Sequence, residues 1–221
     1  MRIVICSSKS WFKLNPSIGE KHVVQYFQSK DELSIKALDE FKPDYVFFTH
    51  WNWIVKDEIH ESFKCIVFHT APLPYGRGGS PIQNLILDGF EKAPVCAIKM
   101  TRELDSGPIY ASSTISLAGS LKNIFSRINV AINDLIKEII ENNPSAVPQR
   151  GEPHIFKRLT IEDNKIPVDL NLEEIYNRIR MVDHDEYPNA YITFGNIKIE
   201  FSNAKVVNET IEVACVIKKL T

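Results

Sequence analysis

Residues 65–83 read CIVFHTAPLPYGRGGSPIQ, and the rest of the chain can be organised around this stretch. A short apolar run, which is typical of a buried strand, ends at the imidazole of His69. The loop that follows holds three prolines and three glycines within ten residues, so its backbone shape matters more than the burial of its side chains. The stretch therefore predicts both a strand of the sheet and a functional centre.

A second strand-to-loop transition, at residues 98–108, carries Asp105 two residues before Gly107. A neutral imidazole can take a proton from an amine and return it to a leaving nitrogen, and a carboxylate can hold the resulting imidazolium or orient a water. We therefore expect His69 and Asp105 to form an acid–base pair. The alternatives are a core histidine with satisfied hydrogen bonds and an aspartate that caps the turn before Gly107.

Apolar strands alternate with helical patterns along most of the chain. The predicted strands lie at residues 2–6, 44–49, 65–69, 94–100 and 109–117, and the predicted helices at 31–41, 56–63, 81–89 and 120–142. Residues 23–27 fit either a strand or a short helix. This alternation predicts an α/β fold with a doubly wound, parallel, Rossmann-like sheet.

Three prolines and a glycine break the periodicity between residues 144 and 153, which predicts a domain at 1–150 and a small α+β unit at 151–221. In the small unit we expect a helix at 172–181 and antiparallel strands at 190–194, 197–201 and 210–217, with a hairpin turn at Gly195-Asn196. The last two strands would expose apolar edges in a monomer, so a homodimer is predicted.

The composition is that of an ordinary globular protein: 221 residues, 44% hydrophobic and 24% charged, with a net charge of −2. This charge supplies no global attraction for polyanions, so neither a nucleic acid nor a membrane is expected as a partner. The four cysteines have no metal-ligand spacing and are expected to be free thiols, mostly buried, with no metal site. The first apolar run is too short for a signal peptide, which favours a cytoplasmic location.

Three further stretches carry candidate functional residues. Trp51, Asn52 and Trp53 follow a strand and form either core packing under a loop or a wall for a flat aromatic ligand. Ser7–Ser10 form either a ligand-facing loop or an ordinary surface connection. Arg77 is either a phosphate ligand or a solvated charge on a turn.

The motif His69-x-x-x-Leu73-Pro74-x-x-x-Gly78, together with Asp105-Ser106-Gly107 placed 36 residues after the histidine, resembles the formyltransferases that use 10-formyltetrahydrofolate. The resemblance covers residues 1 to about 140. Within that group, residues 68–86 look most like short enzymes that act on nucleotide-linked 4-amino-4,6-dideoxy sugars of the pseudaminic type. Arg178-Ile179-Arg180 and Tyr187–Ala190 resemble the small C-terminal unit of sugar formyltransferases.

This resemblance implies a sugar N-formyltransferase with 10-formyltetrahydrofolate as co-substrate and a nucleotide-linked amino sugar as acceptor. A methionyl-tRNA formyltransferase, which normally has a larger basic C-terminal domain, and a non-catalytic folate or nucleotide-sugar binding module are the alternatives. The implied folate-binding residues are Trp51, Trp53, Ile54, Thr101, Arg102, Glu103 and Leu104. The implied substrate-binding residues are Pro74, Tyr75, Gly76, Arg77 and Gly78.

One position departs from the family pattern, which usually reads Asn-x-His, because Val67 stands at the asparagine position. A valine donates no hydrogen bond to an oxygen that gains charge during the reaction. By the resemblance, Asn52 is the candidate substitute, so His69, Asp105 and Asn52 are the predicted catalytic residues.

Overall fold

The computed structural model describes residues 1–9 and 11–220; Ser10, the last residue of the predicted Ser7–Ser10 loop, lies outside the described residues. The chain forms two compact units. The first contains Met1–Arg77, Pro94–Ile115 and Ile128–His154, and the second contains Gly78–Ala93, Ser116–Arg127 and the residues from Ile155 on. Because each unit draws on separated stretches of the chain, the division at residue 150 stays a prediction.

Strands and helices alternate as the sequence predicts. The strands are β1 (Arg2–Cys6), β2 (Val23–Phe27), β3 (Tyr45–Phe48), β4 (Cys65–Thr70), β5 (Tyr75–Gly78), β6 (Lys92–Lys99), β7 (Ile109–Ser116), β8 (His154–Phe156), β9 (Ala190–Phe194), β10 (Ile197–Val207) and β11 (Thr210–Lys219). The helices are α1 (Pro16–Lys21), α2 (Ile35–Phe41), α3 (Asp57–Ser62), α4 (Pro81–Leu87), α5 (Leu121–Asn142) and α6 (Leu172–Arg180), and Ile161–Asn164 form a 3₁₀ helix. Within the described ranges, no helix combines the length and hydrophobicity needed to cross a bilayer.

The large sheet has the strand order β2-β1-β3-β4-β6-β7, which confirms the predicted doubly wound, Rossmann-like arrangement. The pairs β1–β2, β1–β3 and β3–β4 are parallel. β6, in contrast, is antiparallel to β4, with Cys96 opposite His69 and Lys99 opposite Ile66. The sheet is therefore mixed and not purely parallel, a difference that the sequence hides because a buried strand reads as the same apolar run in either direction.

Helix α2 shows how local chemistry fixes an element boundary. It begins later than the predicted start at Asp31 because Ser34 is the N-cap, and its side chain accepts from the amide of Ala37 at 3.2 Å. It ends at Phe41, and the C-cap residue Lys42 has a φ of 52°. The helix and the neighbouring strands contribute to one buried apolar cluster of the first unit, which consists of Val4, Cys6, Phe27, Leu38, Val46, Phe48, Ile59 and Cys65.

The second unit contains the predicted antiparallel hairpins. β10 pairs with β9 and with β11, and Gly195 takes a φ of +55° in the turn between β9 and β10. β10 and β11 are longer than predicted, because they continue to Val207 and Lys219. β11 is one of the two outer strands of this sheet and is exposed along almost its whole length. The homodimer through this edge stays a prediction.

Both arginines of the Arg178-Ile179-Arg180 motif bind backbone or side-chain acceptors within the second unit. Arg178 donates to the carbonyl of Asp163 at 2.6 Å. Arg180 donates to Asn177 Oδ1 at 2.7 Å and also to the carbonyl of Leu117. The motif therefore contributes to the fold of this unit.

The four cysteines are free, as predicted, and differ strongly in exposure. Cys6, Cys65 and Cys96 are buried, whereas Cys215 in β11 is exposed. Burial raises the pKa of Cys65 to about 12 and that of Cys96 to about 11, and it also raises the pKa of Cys6 well above its ordinary value. Since only the thiolate attacks thiol reagents, these three side chains are doubly protected in the folded protein.

We therefore expect one fast-reacting thiol when the native protein is titrated with a thiol reagent at pH 8, and four after unfolding in denaturant. Cys215→Ser should remove the fast phase. The raised pKa values extend this protection well above pH 8, as long as the protein stays folded. A second fast thiol in the folded Cys215→Ser variant would contradict the burial of the other three.

Candidate functional site

β4 places the predicted base, His69, near its carboxyl end. The residue is only 7% exposed. Its Nδ1 lies 3.4 Å from Asp105 Oδ2, and its Nε2–H donates to the carbonyl of Gly76 at 2.7 Å. The structure thus brings the predicted acid–base pair together.

The partners of the ring determine which protonation states fit the site. The carbonyl of Gly76 can only accept, so Nε2 carries a hydrogen. In the neutral ring, the unprotonated Nδ1 then faces Asp105, and a proton taken up at Nδ1 is stabilised by the carboxylate. The geometry therefore suits a base, because Asp105 is already placed next to the nitrogen of His69 that would carry the added proton.

Asp105 reaches His69 by a route that the sequence did not predict. Because Lys99 lies opposite Ile66, β6 ends three residues away from the level of His69, which is roughly 10 Å along the strand. The pair therefore does not come from two strand ends at one edge of a parallel sheet. The loop after β6 folds back instead, starting from a hydrogen bond of 2.9 Å between the amide of Met100 and the carbonyl of Cys65.

This loop, residues 100–108, is stabilised by its own polar groups. The hydroxyls of Thr101 and Ser106 both donate to the carbonyl of Glu103, at 3.0 and 2.9 Å. The amide of Lys99 donates to the carbonyl of Pro108 at 2.9 Å and closes the base of the loop. Asp105 itself has a φ of 53°, a left-handed conformation that few residues other than glycine adopt without help from their surroundings.

The predicted aromatic wall lies after β3. The ring of Trp51 packs against Phe48 and Trp53, with centroid distances of 5.9 and 4.9 Å. Its indole Nε1 is buried and has no hydrogen-bond partner among the described residues. Trp53 is 38% exposed and Ile54 is 86% exposed, so this loop combines a buried unpaired donor with exposed apolar surface.

Asn52, the predicted substitute for the family asparagine, is exposed. Its side chain makes no hydrogen bond or ion pair with the described residues, His69 and Asp105 included. Val67, two residues before His69 on the same face of β4, packs against the apolar cluster of the first unit. The structure thus places Asn52 on a free surface and leaves its catalytic role a prediction.

The predicted substrate-binding residues 74–78 are largely engaged with the protein itself. Tyr75 stacks on the ring of His154, with centroids 4.7 Å apart, and Gly76 supplies the carbonyl that holds His69. Gly78 belongs to the second unit, where an added Cβ would lie 2.9 Å from the carbonyl oxygen of Phe156. This close approach explains why position 78 is a glycine. The contact of residues 74–78 with substrate stays a prediction. Pro74 is buried.

Arg77 is also bound within the protein. Its side chain is 13% exposed, lies 3.5 Å from Glu103 Oε1, and donates twice to Gln149 Oε1, at 3.1 and 2.9 Å. A solvated charge is therefore excluded. Gln149 was missed in the sequence because it lies between prolines in a stretch interpreted as a domain boundary, and no sequence pattern marks a side chain that binds carbonyls.

The other predicted folate-binding residues lie in the loop after β6. Thr101 is half-buried, and Leu104 is 59% exposed. Arg102 is exposed, and its Nε lies 3.5 Å from Asp57 Oδ2. No cluster of histidine, cysteine or acidic side chains that could hold a metal ion is present in the described part of the chain.

Comparisons with known proteins identify the family to which the chain is similar. Residues 2–129 match the family model "Formyl transferase", and residues 161–218 match "Methionyl-tRNA formyltransferase, C-terminal domain". The structure is similar to that of a methionyl-tRNA formyltransferase from Clostridium thermocellum, with 38% identity, a TM-score of 0.93 and coverage of 99% of both chains. The methionyl-tRNA formyltransferase of Sulfurimonas denitrificans is 28% identical over 188 residues, which are 82% of this chain.

The same comparisons correct two predictions. A sugar N-formyltransferase from Shewanella sp. covers this chain completely but is only 15% identical, with a TM-score of 0.69, so it shares the fold alone. The prediction of a sugar N-formyltransferase is therefore wrong, and so is the exclusion of nucleic acid, since the more similar proteins are named for a tRNA substrate. The chain spans 61% of the length of the Sulfurimonas protein.

Proposed function

Because the chain belongs to the formyl transferase family, we propose that it transfers the formyl group of 10-formyltetrahydrofolate to the amino group of methionyl-tRNA. The observation that carries the chemistry is the buried His69–Asp105 pair at 3.4 Å. The match of residues 161–218 to the C-terminal domain of methionyl-tRNA formyltransferases supports the choice of acceptor.

In this proposal His69 takes the proton of the attacking amine. Nε2 stays bonded to Gly76, so the proton enters at Nδ1, where Asp105 stabilises the imidazolium. The positive ring next to the reacting atoms then favours the build-up of negative charge on the acyl oxygen, and it can return its proton to the leaving nitrogen.

The residues around Trp51 fit a folate. Its buried indole N–H lacks a partner, and Trp53, Ile54 and Leu104 expose apolar surface on two loops of the first unit. A flat heteroaromatic ring would cover these apolar side chains. The bound folate would supply the electrophilic formyl carbon.

A direct assay tests the proposed function. The protein is incubated with 10-formyltetrahydrofolate and methionine-charged initiator tRNA, and N-formylmethionine is measured after the tRNA is deacylated. We expect formylmethionine from the charged tRNA, and a much lower rate with free methionine and with the Asp105→Asn variant. Failure of the wild-type protein to form any product at micromolar concentration would refute the proposal. Folate binding without turnover would instead support the non-catalytic binding module that Val67 suggests.

A variant of Asn52 tests whether this residue takes the role of the asparagine that the family usually has at position 67. If Asn52 donates to the acyl oxygen in the transition state, Asn52→Ala should lower kcat by about a hundredfold, because one such donor contributes roughly 3 kcal/mol. The KM for folate should change little, since the interaction strengthens only as charge develops. Asn142→Ala, at the exposed end of α5, serves as the control. An unchanged kcat would show that a backbone amide, a water or Thr70 supplies the donor.

A further inference from the structure

The side chain of Gln149 joins the two loops that hold His69. Its Nε2 donates to the carbonyls of Asp105 and Gly107, at 2.8 and 2.9 Å, and its Oε1 accepts from Nε and Nη2 of Arg77, at 3.1 and 2.9 Å. Every donor and acceptor of the amide group is thus used. All of these residues belong to the first compact unit.

The orientation of this amide is fixed by its partners. The two carbonyls can only accept hydrogen bonds, and the guanidinium of Arg77 can only donate them. Rotation of the amide by 180° would therefore break all four hydrogen bonds at once. Arg77 thereby keeps the N–H groups of Gln149 directed at the Asp105 loop.

The conformation of Asp105 explains why the loop needs this support. Its φ of 53° lies in the left-handed region, which is unfavourable for most residues with a side chain. Gln149 binds the carbonyl of Asp105 and, two residues later, that of Gly107, so it holds the backbone on both sides of Ser106. With the backbone held there, the carboxylate of Asp105 is directed at Nδ1 of His69.

Gly76, the second hydrogen-bond partner of His69, is also linked to Gln149. Nε2 of the ring donates to the carbonyl of Gly76, and the next residue, Arg77, binds Gln149. The imidazole is therefore fixed from two loops that are distant in sequence, and Gln149 is the residue that ties them to each other.

We propose that Gln149 is a positioning residue for formyl transfer: it holds Asp105 against His69, and Arg77 holds Gln149 in the required orientation. The effect on turnover rests on the proposed function, whereas the effect on the geometry of the loop does not. A misplacement of about 1 Å between reacting groups can cost about a hundredfold in rate.

The sharpest variant is Gln149→Glu, which keeps the size of the side chain and its contact with Arg77 but replaces both N–H donors with an acceptor. We expect kcat to fall by about thirty- to a hundredfold, with KM values for both substrates within about threefold of wild type. Amide hydrogen exchange at Ser106 and Gly107 should accelerate by at least about tenfold, and the ring ¹⁵N shifts of His69 should change. Gln28→Glu, which adds the same charge at an exposed position, should change none of these quantities.

Arg77→Ala provides a second variant in case Gln149→Glu does not fold. It leaves the amide free to rotate, so a smaller fall in kcat, about three- to tenfold, should accompany the same rise in exchange at Ser106 and Gly107. Arg150→Ala removes a neighbouring exposed cation and should have no effect.

The outcomes separate the two proposals. If the wild-type protein transfers no formyl group, the proposed function fails. Amide hydrogen exchange and the ring ¹⁵N shifts of His69 still test whether Gln149 positions the loop. Unchanged exchange and unchanged His69 shifts in Gln149→Glu would overturn the inference. Faster exchange with an unchanged kcat in an active protein would also overturn it, because Gln149 would then support only the fold.

Discussion

Replacing His69 with alanine is expected to lower kcat for formyl transfer by at least about a hundredfold, the contribution typical of a positioned general base. The side chain places an imidazole 3.4 Å from the carboxylate of Asp105. Its removal takes away both the acceptor of the amine proton and the positive charge that follows. The assay with charged initiator tRNA measures the effect, and folate binding should remain.

Folding has to be controlled in this experiment because His69 is buried. Its loss leaves the carbonyl of Gly76 without its donor, which can cost about 1–3 kcal/mol of stability. His69→Gln restores a donor for that carbonyl but cannot serve as a base, so it should lose activity to the same extent while unfolding near the wild-type temperature. His22→Ala, between α1 and β2, should behave as wild type in both assays. A folded His69→Gln protein with more than a tenth of the wild-type rate would refute the general-base role.

The sequence predicted the fold more completely than the site. Strands such as β1 and β4 are short, continuous apolar runs between turn residues, so their positions and class follow from periodicity. The direction of β6 does not follow from periodicity. Antiparallel pairing with β4 depends on the path of the chain after α4, and a fully buried strand has the same apolar pattern in either direction. The antiparallel hairpin of the second unit was predictable, since Gly195-Asn196 is a turn sequence that itself determines pairing.

The proximity of His69 and Asp105 was predicted correctly, but for an incomplete reason, and their catalytic role stays a prediction. His69 and Asp105 do meet, yet the loop after β6 brings them together by folding back across roughly 10 Å of strand. Besides the hydrogen bonds within the loop itself, two come from Gln149, which lies 44 residues after Asp105 in the chain. A long-range contact between one amide and two carbonyls has no periodicity or spacing, so only the structure reveals it.

The acceptor was the weakest part of the prediction. The motif around His69 indicates formyl transfer to an amine, a reaction that is the same for acceptors of different kinds. It therefore does not identify which molecule carries the acceptor amine. A net charge of −2 describes the sum over the whole surface, whereas recognition of one end of a tRNA depends on a few local groups. The small negative net charge therefore does not exclude a tRNA substrate.

Gly107→Ala is expected to damage both stability and activity, although Gly107 contacts no substrate in the proposed mechanism. A Cβ built at this position overlaps the carbonyl oxygen of Lys99, far inside van der Waals contact, and also lies 3.3 Å from Cγ2 of Thr101. Both Gly107 and the Lys99 carbonyl are held by hydrogen-bonded backbone, so neither can move without cost. The loop must shift away from β6, and the hydrogen bond from Gln149 to the Gly107 carbonyl then lengthens or breaks.

Since overpacking of this kind typically costs about 1–3 kcal/mol, we expect a lower urea midpoint with an unchanged m-value. The displacement also carries Asp105 away from His69, so kcat should fall by about a hundredfold or more. Gly19→Ala is the matched control, because α1 leaves open space within 4 Å of an added Cβ and alanine favours a helix; it should be as active and at least as stable as wild type. If Gly107→Ala kept the wild-type midpoint and rate, the close approach of the Asp105 loop to β6 would be wrong, and with it the path by which Asp105 reaches His69.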